Sequence, residues 1–304
     1  MGKIAFIFPG QGAQYIGMAK DFWEQYEQSR SIFEQASKEL NLDMESLCFE
    51  ENELLDQTEY TQAAMVTASV AILTEIEKRG IKPDVTAGLS LGEYCALVTS
   101  KAMSFVDAVK VVRQRGILMQ NTVPLGQGAM AAVLGMKAEE IEAVCERIDG
   151  VQIANYNCPG QIVITGKSGQ IEIASKQLKE AGARRVLPLK VSGPFHSEML
   201  KPAGEKLGEV LREVEVNTPI IPYVSNTTAA YVTKEEEIKP LLERQVYSSV
   251  RWQQSVEAML ADGVDTFIEI GPGKTLTGFM RKINRKVKAI NIEKVEDLKK
   301  LEEV

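Results

Sequence analysis

Apolar positions along this chain fall into two alternating patterns, short near-continuous runs and longer stretches with helical spacing. Residues 3–8 form a run stopped by Pro9 and Gly10, as for a strand buried on both faces of a parallel sheet and the loop that follows it. Helical periodicity covers 18–40 and 60–79. Residues 84–89 read as a second buried strand that runs into a helix from about Leu91. A strong helical segment spans 105–121, with Ser104 and Asp107 spaced to cap its start. Pro124, Gly126 and Gly128 interrupt the pattern.

Residues 129–190 have a rhythm of their own. Strand-like 129–136, helical 138–148, strand-like 151–155 and 161–165, helical 168–181 and strand-like 184–189 give the order βαββαβ. Beyond Gly193 and Pro194 the α/β alternation returns, with helices near 198–213, 235–246 and 252–262 and strands at 220–224, 264–270 and 287–292. The expected fold is therefore α/β. A hydrolase-like large domain with a parallel-sheet core would comprise residues 1–125 and 193–304. A small ferredoxin-like subdomain, 126–192, would be inserted between those two parts.

Composition narrows the function classes. The 304 residues are 44% hydrophobic and 25% charged, which suits a globular chain with a sizeable core. A net charge of -7 argues against nucleic-acid binding and gives no reason to expect membrane affinity. No apolar stretch is long enough to span a bilayer, and no signal-peptide pattern opens the chain. Cys48, Cys95, Cys145 and Cys158 lack C-x-x-C spacing and read as reduced thiols of a cytoplasmic protein. With one histidine, a metal site is not expected. Nothing in the sequence demands more than a monomer.

Candidate chemistry centres on Ser90, set between Gly88 and Gly92 after a strand and before a helix. This is the form of a nucleophile elbow; the alternative is a serine that only caps the helix. The helix start would also offer free N–H groups to a developing oxyanion. A serine hydroxyl needs a base, and the single histidine, His196, is the one imidazole available. A structural, half-buried histidine is the competing reading. Its second ring nitrogen would need an acceptor, a carboxylate or a carbonyl. Gln11, in the glycine-rich loop after the first strand, borders the crevice expected at the carboxyl ends of parallel strands, where its N–H could join an oxyanion hole; the alternative is a plain glycine-rich turn. Arg115 is either a solvated helix residue or a fork for a substrate carboxylate. The basic stretch 280–288 is either ordinary surface or a docking patch for an acidic partner.

Seven segments together resemble one family. FPGQGAQ at 8–14, GLSLGEY at 88–94, RQRGILMQ at 113–120, GAMAAVLG at 128–135, NCPGQIVITG at 157–166, GPFHSEMLKPA at 193–203 and EIGPGKTLTG at 269–278 are similar to the malonyl-CoA:acyl-carrier-protein transacylases of bacterial fatty-acid synthesis. The resemblance implies Ser90 as nucleophile, His196 as base, Arg115 as the carboxylate-binding arginine, and the N–H groups of Gln11 and Leu91 as oxyanion donors. It implies Gln245 as the residue whose carbonyl orients the histidine, and Met119 and Phe195 as substrate-binding. Malonyl-CoA and acyl carrier protein are the implied partners, no cofactor is required, and the route is ping-pong through a malonyl-serine ester. Phe195 would crowd an α-branch, favouring malonyl over methylmalonyl. The family usually carries histidine before the nucleophile, whereas this chain has Leu89. A stand-alone polyketide-loading acyltransferase fits the same residues, because carrier identity alone separates the two. A Ser–His thioesterase or esterase would need an acidic residue behind His196, and a catalytically silent scaffold would form no adduct.

Overall fold

Strands that are apolar on both faces need cover on both faces, and the chain supplies it with helices from two separated stretches. The computed structural model describes residues 2–304. Strand β1 (Lys3–Phe8) is followed by α1 (Lys20–Gln25), α2 (Glu27–Leu40), α3 (Met44–Phe49) and α4 (Thr58–Lys78). Then come β2 (Val85–Gly88), α5 (Gly92–Thr99) and α6 (Phe105–Asn121). The middle of the chain forms β3 (Gly128–Leu134), α7 (Ala138–Cys145), β4 (Val151–Cys158), β5 (Gln161–Lys167), α8 (Ser168–Glu180) and β6 (Arg185–Pro188). The remainder forms α9 (Lys201–Arg212), β7 (Tyr223–Val224), β8 (Tyr231–Val232), α10 (Glu235–Gln245), α11 (Trp252–Ala261), β9 (Val264–Ile270), α12 (Thr275–Ile283) and β10 (Lys288–Ile292).

The larger sheet has the order β10-β9-β1-β2-β7-β8 and is parallel apart from the β7–β8 pair. Alternation along β1 divides the core. Phe6 and Phe8 pack toward α1, α2, α4, α5 and α6, while Ala5 and Ile7 join Trp252, Val256, Leu276 and Met280 of α11 and α12. The second sheet is antiparallel, in the order β4-β5-β3-β6. One of its faces packs on α7 and α8 through Val133, Ile164, Ile141 and Leu178. The other turns Met130, Ala132 and Val163 toward the larger core. No helix among the described residues is long and apolar enough to cross a membrane.

Two local expectations need correction, and two short segments had no counterpart among the expected elements. The helix expected over 18–40 starts at Lys20 and breaks at Tyr26, whose extended backbone (φ -126°, ψ 122°) separates α1 from α2. The strand expected over 220–224 contracts to Tyr223–Val224. The segments α3 and β8, six and two residues long, were not anticipated, because neither is long enough to show a period.

Candidate active site

The elbow sits where β2 meets α5. Gly88 and Gly92 touch backbone to backbone, so a Cβ on Gly88 would overlap the Gly92 carbonyl. That closeness forces the intervening turn, and Ser90 takes the left-handed conformation with φ 53°. Asn226, just beyond β7, straps the turn from the side. Its Oδ1 accepts from Ser90 N–H at 2.6 Å and its Nδ2 donates to the Gly88 carbonyl at 2.7 Å.

His196 follows β6 in a loop and is also left-handed, with φ 57°. Both facing residues thus sit in the sparsely populated left-handed region. Gln152 of β4 holds this loop: its Nε2 donates to the His196 carbonyl at 3.2 Å and its Oε1 accepts from Glu198 N–H at 2.9 Å. The two groups are 106 positions apart in sequence, yet Ser90 Oγ lies 2.8 Å from His196 Nε2. His196 Nδ1 lies 2.8 Å from the main-chain carbonyl of Gln245. A carbonyl only accepts, so Nδ1 carries the proton and the Nε2 lone pair faces the serine hydroxyl.

Arg115 projects from the buried face of α6 and is 1% exposed. Gly116 beside it lets α6 approach α4, since a Cβ there would lie 2.6 Å from Glu59 Cα. Nη1 of Arg115 donates to Gln62 Oε1 at 2.7 Å, and Nη2 donates to Gln245 Oε1 at 2.9 Å and to Ser90 Oγ at 3.1 Å. Its Nε has no partner among the described residues, and the guanidinium makes no direct ion pair there, although the buried Glu93 acts on it through space. Burial lowers the Arg115 pKa from its ordinary value.

Burial, and then the Arg115 cation, lower the His196 imidazole to about 3, against the pull of the Gln245 carbonyl. A depressed pKa keeps the imidazole neutral, with its Nε2 lone pair free, as pH falls. Formation of an acyl-serine should therefore change less than about twofold between about pH 7.5 and 5.5, measured by rapid-quench mass spectrometry. An ordinary histidine would lose roughly tenfold over that range. An inflection near pH 6.5 would contradict the geometry.

A cavity of about 360 Å³ opens over these groups. Ser90, His196, Arg115, Gln11, Leu91, Met119 and Phe195 all line it, with Met130, Ala132 and Val163 of the small sheet across from them. The N–H groups of Gln11 and Leu91 have no hydrogen-bond partner among the described residues. Gln245 lies behind the cavity. Sequence reasoning did not single out Gln62, Glu93 or Asn226. Gln62 and Glu93 were detectable as polar residues inside otherwise apolar helices; Asn226 carried no signal, because its role exists only across the sheet.

A serine hydroxyl bonded to a carbonyl-anchored imidazole, beside a buried cation, defines an acyl-transfer centre. The family model for the acyl transferase domain matches residues 5–300, and the chain belongs to that family. Within it the chain is one of the malonyl-CoA:acyl-carrier-protein transacylases. The protein of that name from Bacillus subtilis is 49% identical over 303 residues, covering 98% of this chain and 96% of the relative. The Staphylococcus aureus (strain MW2) protein is 43% identical, covering 98% of each. The crystal structure of the transacylase from Clostridium perfringens superposes with a TM-score of 0.96 at 45% identity, covering 99% of this chain and 96% of that one. A malonyl-transacylase solved with its type II PKS acyl-carrier protein superposes at 0.97 and 38% identity, covering 99% of this chain and 100% of that one.

Proposed function

We propose that this chain moves the malonyl group from malonyl-CoA to the phosphopantetheine thiol of acyl carrier protein by a ping-pong route through an ester on Ser90. The observation that carries the malonyl reading is Arg115, a buried guanidinium that makes no direct ion pair among the described residues, Glu93 being joined to it only through Gln245, and whose Nη2 lies 3.1 Å from Ser90 Oγ. An unpaired buried cation is costly, and a substrate carboxylate is the natural group to balance it.

In the first half, the Ser90 hydroxyl gives its proton to His196 Nε2 as Oγ attacks the thioester carbonyl. The N–H groups of Gln11 and Leu91 receive the oxyanion. Collapse breaks the C–S bond, and the departing coenzyme A thiolate takes the proton from the imidazolium. In the second half the carrier thiol gives its proton to His196, its sulfur attacks the ester, and Ser90 recovers the proton. Two thioesters of similar energy bound the sequence, so the transfer is reversible. A carboxylate on Arg115 also removes one of the two causes that hold a proton off His196. Met119, Met130 and Phe195 supply the apolar wall, and Phe195 disfavours an α-branch. The usual histidine before the nucleophile is replaced by Leu89, which lines the cavity and packs against the β1–β2 side of the sheet, so the polar contact such a neighbour would supply to the acyl group is absent.

The strand order and directions of the second sheet support reading 126–192 as a ferredoxin-like insertion, with 1–125 and 193–304 forming the hydrolase-like part. We place the protein in the cytoplasm as a monomer. Against a hydrolase, His196 is backed by a carbonyl and not by a carboxylate. Incubation with malonyl-CoA and carrier should give malonyl-carrier in excess of free malonate; the reverse ratio would refute transfer.

The basic stretch has a place in this reading. Thr275 and Phe279 of α12 line the cavity, and Lys282 donates to Gln161 at its edge at 3.1 Å. Arg281, Lys282 and Arg285 surround a shallow depression further along, where an acidic carrier could dock with its thiol arm toward Ser90. Reversing charge at Arg285 and Lys286 should raise the KM for carrier about tenfold and leave Ser90 acylation by malonyl-CoA unchanged. Unaltered carrier kinetics would return the stretch to plain surface.

A further inference from the structure

Glu93 is the one charged residue of α5, and it is fully buried behind the cavity, out of reach of any substrate. Its Oε2 accepts from Gln245 Nε2 at 2.6 Å and from Asn226 N–H at 3.1 Å, while Oε1 has no partner among the described residues. Each of those two partners holds part of the reacting centre. Gln245 presents Oε1 to Arg115 and its main-chain carbonyl to His196 Nδ1, and its Nε2 also donates to the Ser90 carbonyl at 3.0 Å. Asn226 straps the Ser90 elbow.

We propose that Glu93 is a positioning residue for this reaction: one carboxylate oxygen ties Gln245 to Asn226 and so fixes Arg115, His196 and the Ser90 turn in a single arrangement. A carboxylate oxygen accepts, so the Gln245 amide must turn its NH2 toward Glu93, which leaves its oxygen for the guanidinium. With the amide turned end for end, oxygen would face oxygen at Glu93 and N–H would face N–H at Arg115. The bond to Ser90 O favours the same orientation, but at 2.6 Å the bond to Glu93 is the shorter. Burial raises the Glu93 carboxyl to about 7, with Asn226, Gln245, Arg115 and Ser225 pulling the other way. A proton carried on Oε1 would leave Oε2 accepting, so acceptance at that oxygen, and not the charge, is the property the site requires.

The inference rests on the malonyl-transfer reading, and its test has one arm that does not. Glu93→Leu removes the acceptor at similar bulk, Glu93→Gln keeps an oxygen at the Oε2 position, and Glu93→Asp keeps the charge but withdraws the oxygen by one methylene. In the intact enzyme, E93L should lower the malonyl-CoA to acetyl-CoA ratio of kcat/KM at least about tenfold, the size of one lost buried hydrogen bond. E93Q should restore that ratio to within about threefold of the parent, and E93D should fall between the two. Gln245→Ala should lower the ratio as E93L does, and the double variant should be no worse than Gln245→Ala alone. The independent arm uses the single histidine. Its Nδ1–H gives one imidazole NMR signal, which should shift in E93L and E93D and stay in place in E93Q. Should E93L fail to fold, the order of E93Q above E93D decides the matter. A parent-like ratio and signal in E93L, E93D outperforming E93Q, or additive losses with Gln245→Ala would overturn the proposal. A parent enzyme that forms no malonyl-serine would instead refute the function, with the NMR comparison still standing.

Discussion

Replacing Ser90 with alanine should abolish the malonyl adduct seen by intact-mass spectrometry and lower transfer to the carrier by at least about 10,000-fold. The size follows from the geometry. His196 Nε2 faces one hydroxyl, Ser90 Oγ, and the same oxygen is held by Arg115. No other hydroxyl of the described residues bonds to the imidazole, so no substitute nucleophile is in place. Binding should survive, because the guanidinium and the Gln11 and Leu91 N–H groups remain. The S90A protein should therefore still bind malonyl-CoA by calorimetry, while turning nothing over. An adduct persisting elsewhere on S90A would remove the serine from the mechanism.

Arg115→Ala should cut kcat/KM for malonyl-CoA by about 100- to 1,000-fold, the cost of leaving a carboxylate buried without its partner. Acetyl-CoA brings no carboxylate and should be spared. Two effects oppose each other for acetyl transfer. Ser90 Oγ loses one hydrogen bond, while His196 is freed from the cation that lowers its pKa. Acetyl transfer should then stay within about fivefold of the parent, since each effect is of hydrogen-bond size. The decisive measurement is the ratio of the two substrates. Equal losses for malonyl-CoA and acetyl-CoA would show that Arg115 supports the site without reading the acid. Gln62 and Gln245 bond the guanidinium but carry no charge, so neither can stand in for it.

Legibility in the sequence followed the range of the interaction. The strand at residues 3–8 and the helix over 105–121 were readable to the residue, because an unbroken apolar run and a capped 3.6-residue period are local signals. Position Tyr26 was not, since its helix break has no proline or glycine to announce it. Within the site, Ser90 was legible from its two glycines and His196 from being the only histidine. Arg115 was ambiguous by itself, because a helical arginine is usually solvated; its burial depends on Gly116 admitting α4. Gln245 was placed by resemblance alone among nearby glutamines, and Glu93 and Asn226 were missed.

The main strands and helices, the turn at Ser90 and the family were determined by the amino-acid sequence alone, because each is written in neighbouring residues or in a linear set of motifs; the break at Tyr26 and the short α3 and β8 were not. Tertiary structure decided which nitrogen of His196 carries the proton, that Arg115 is a buried cation with no direct ion pair among the described residues, and that Glu93 stands behind Gln245. These are facts about desolvation and distance. They arise only when β2, the loop after β6, α6 and the end of α10 converge, and no local pattern encodes how much water that convergence excludes.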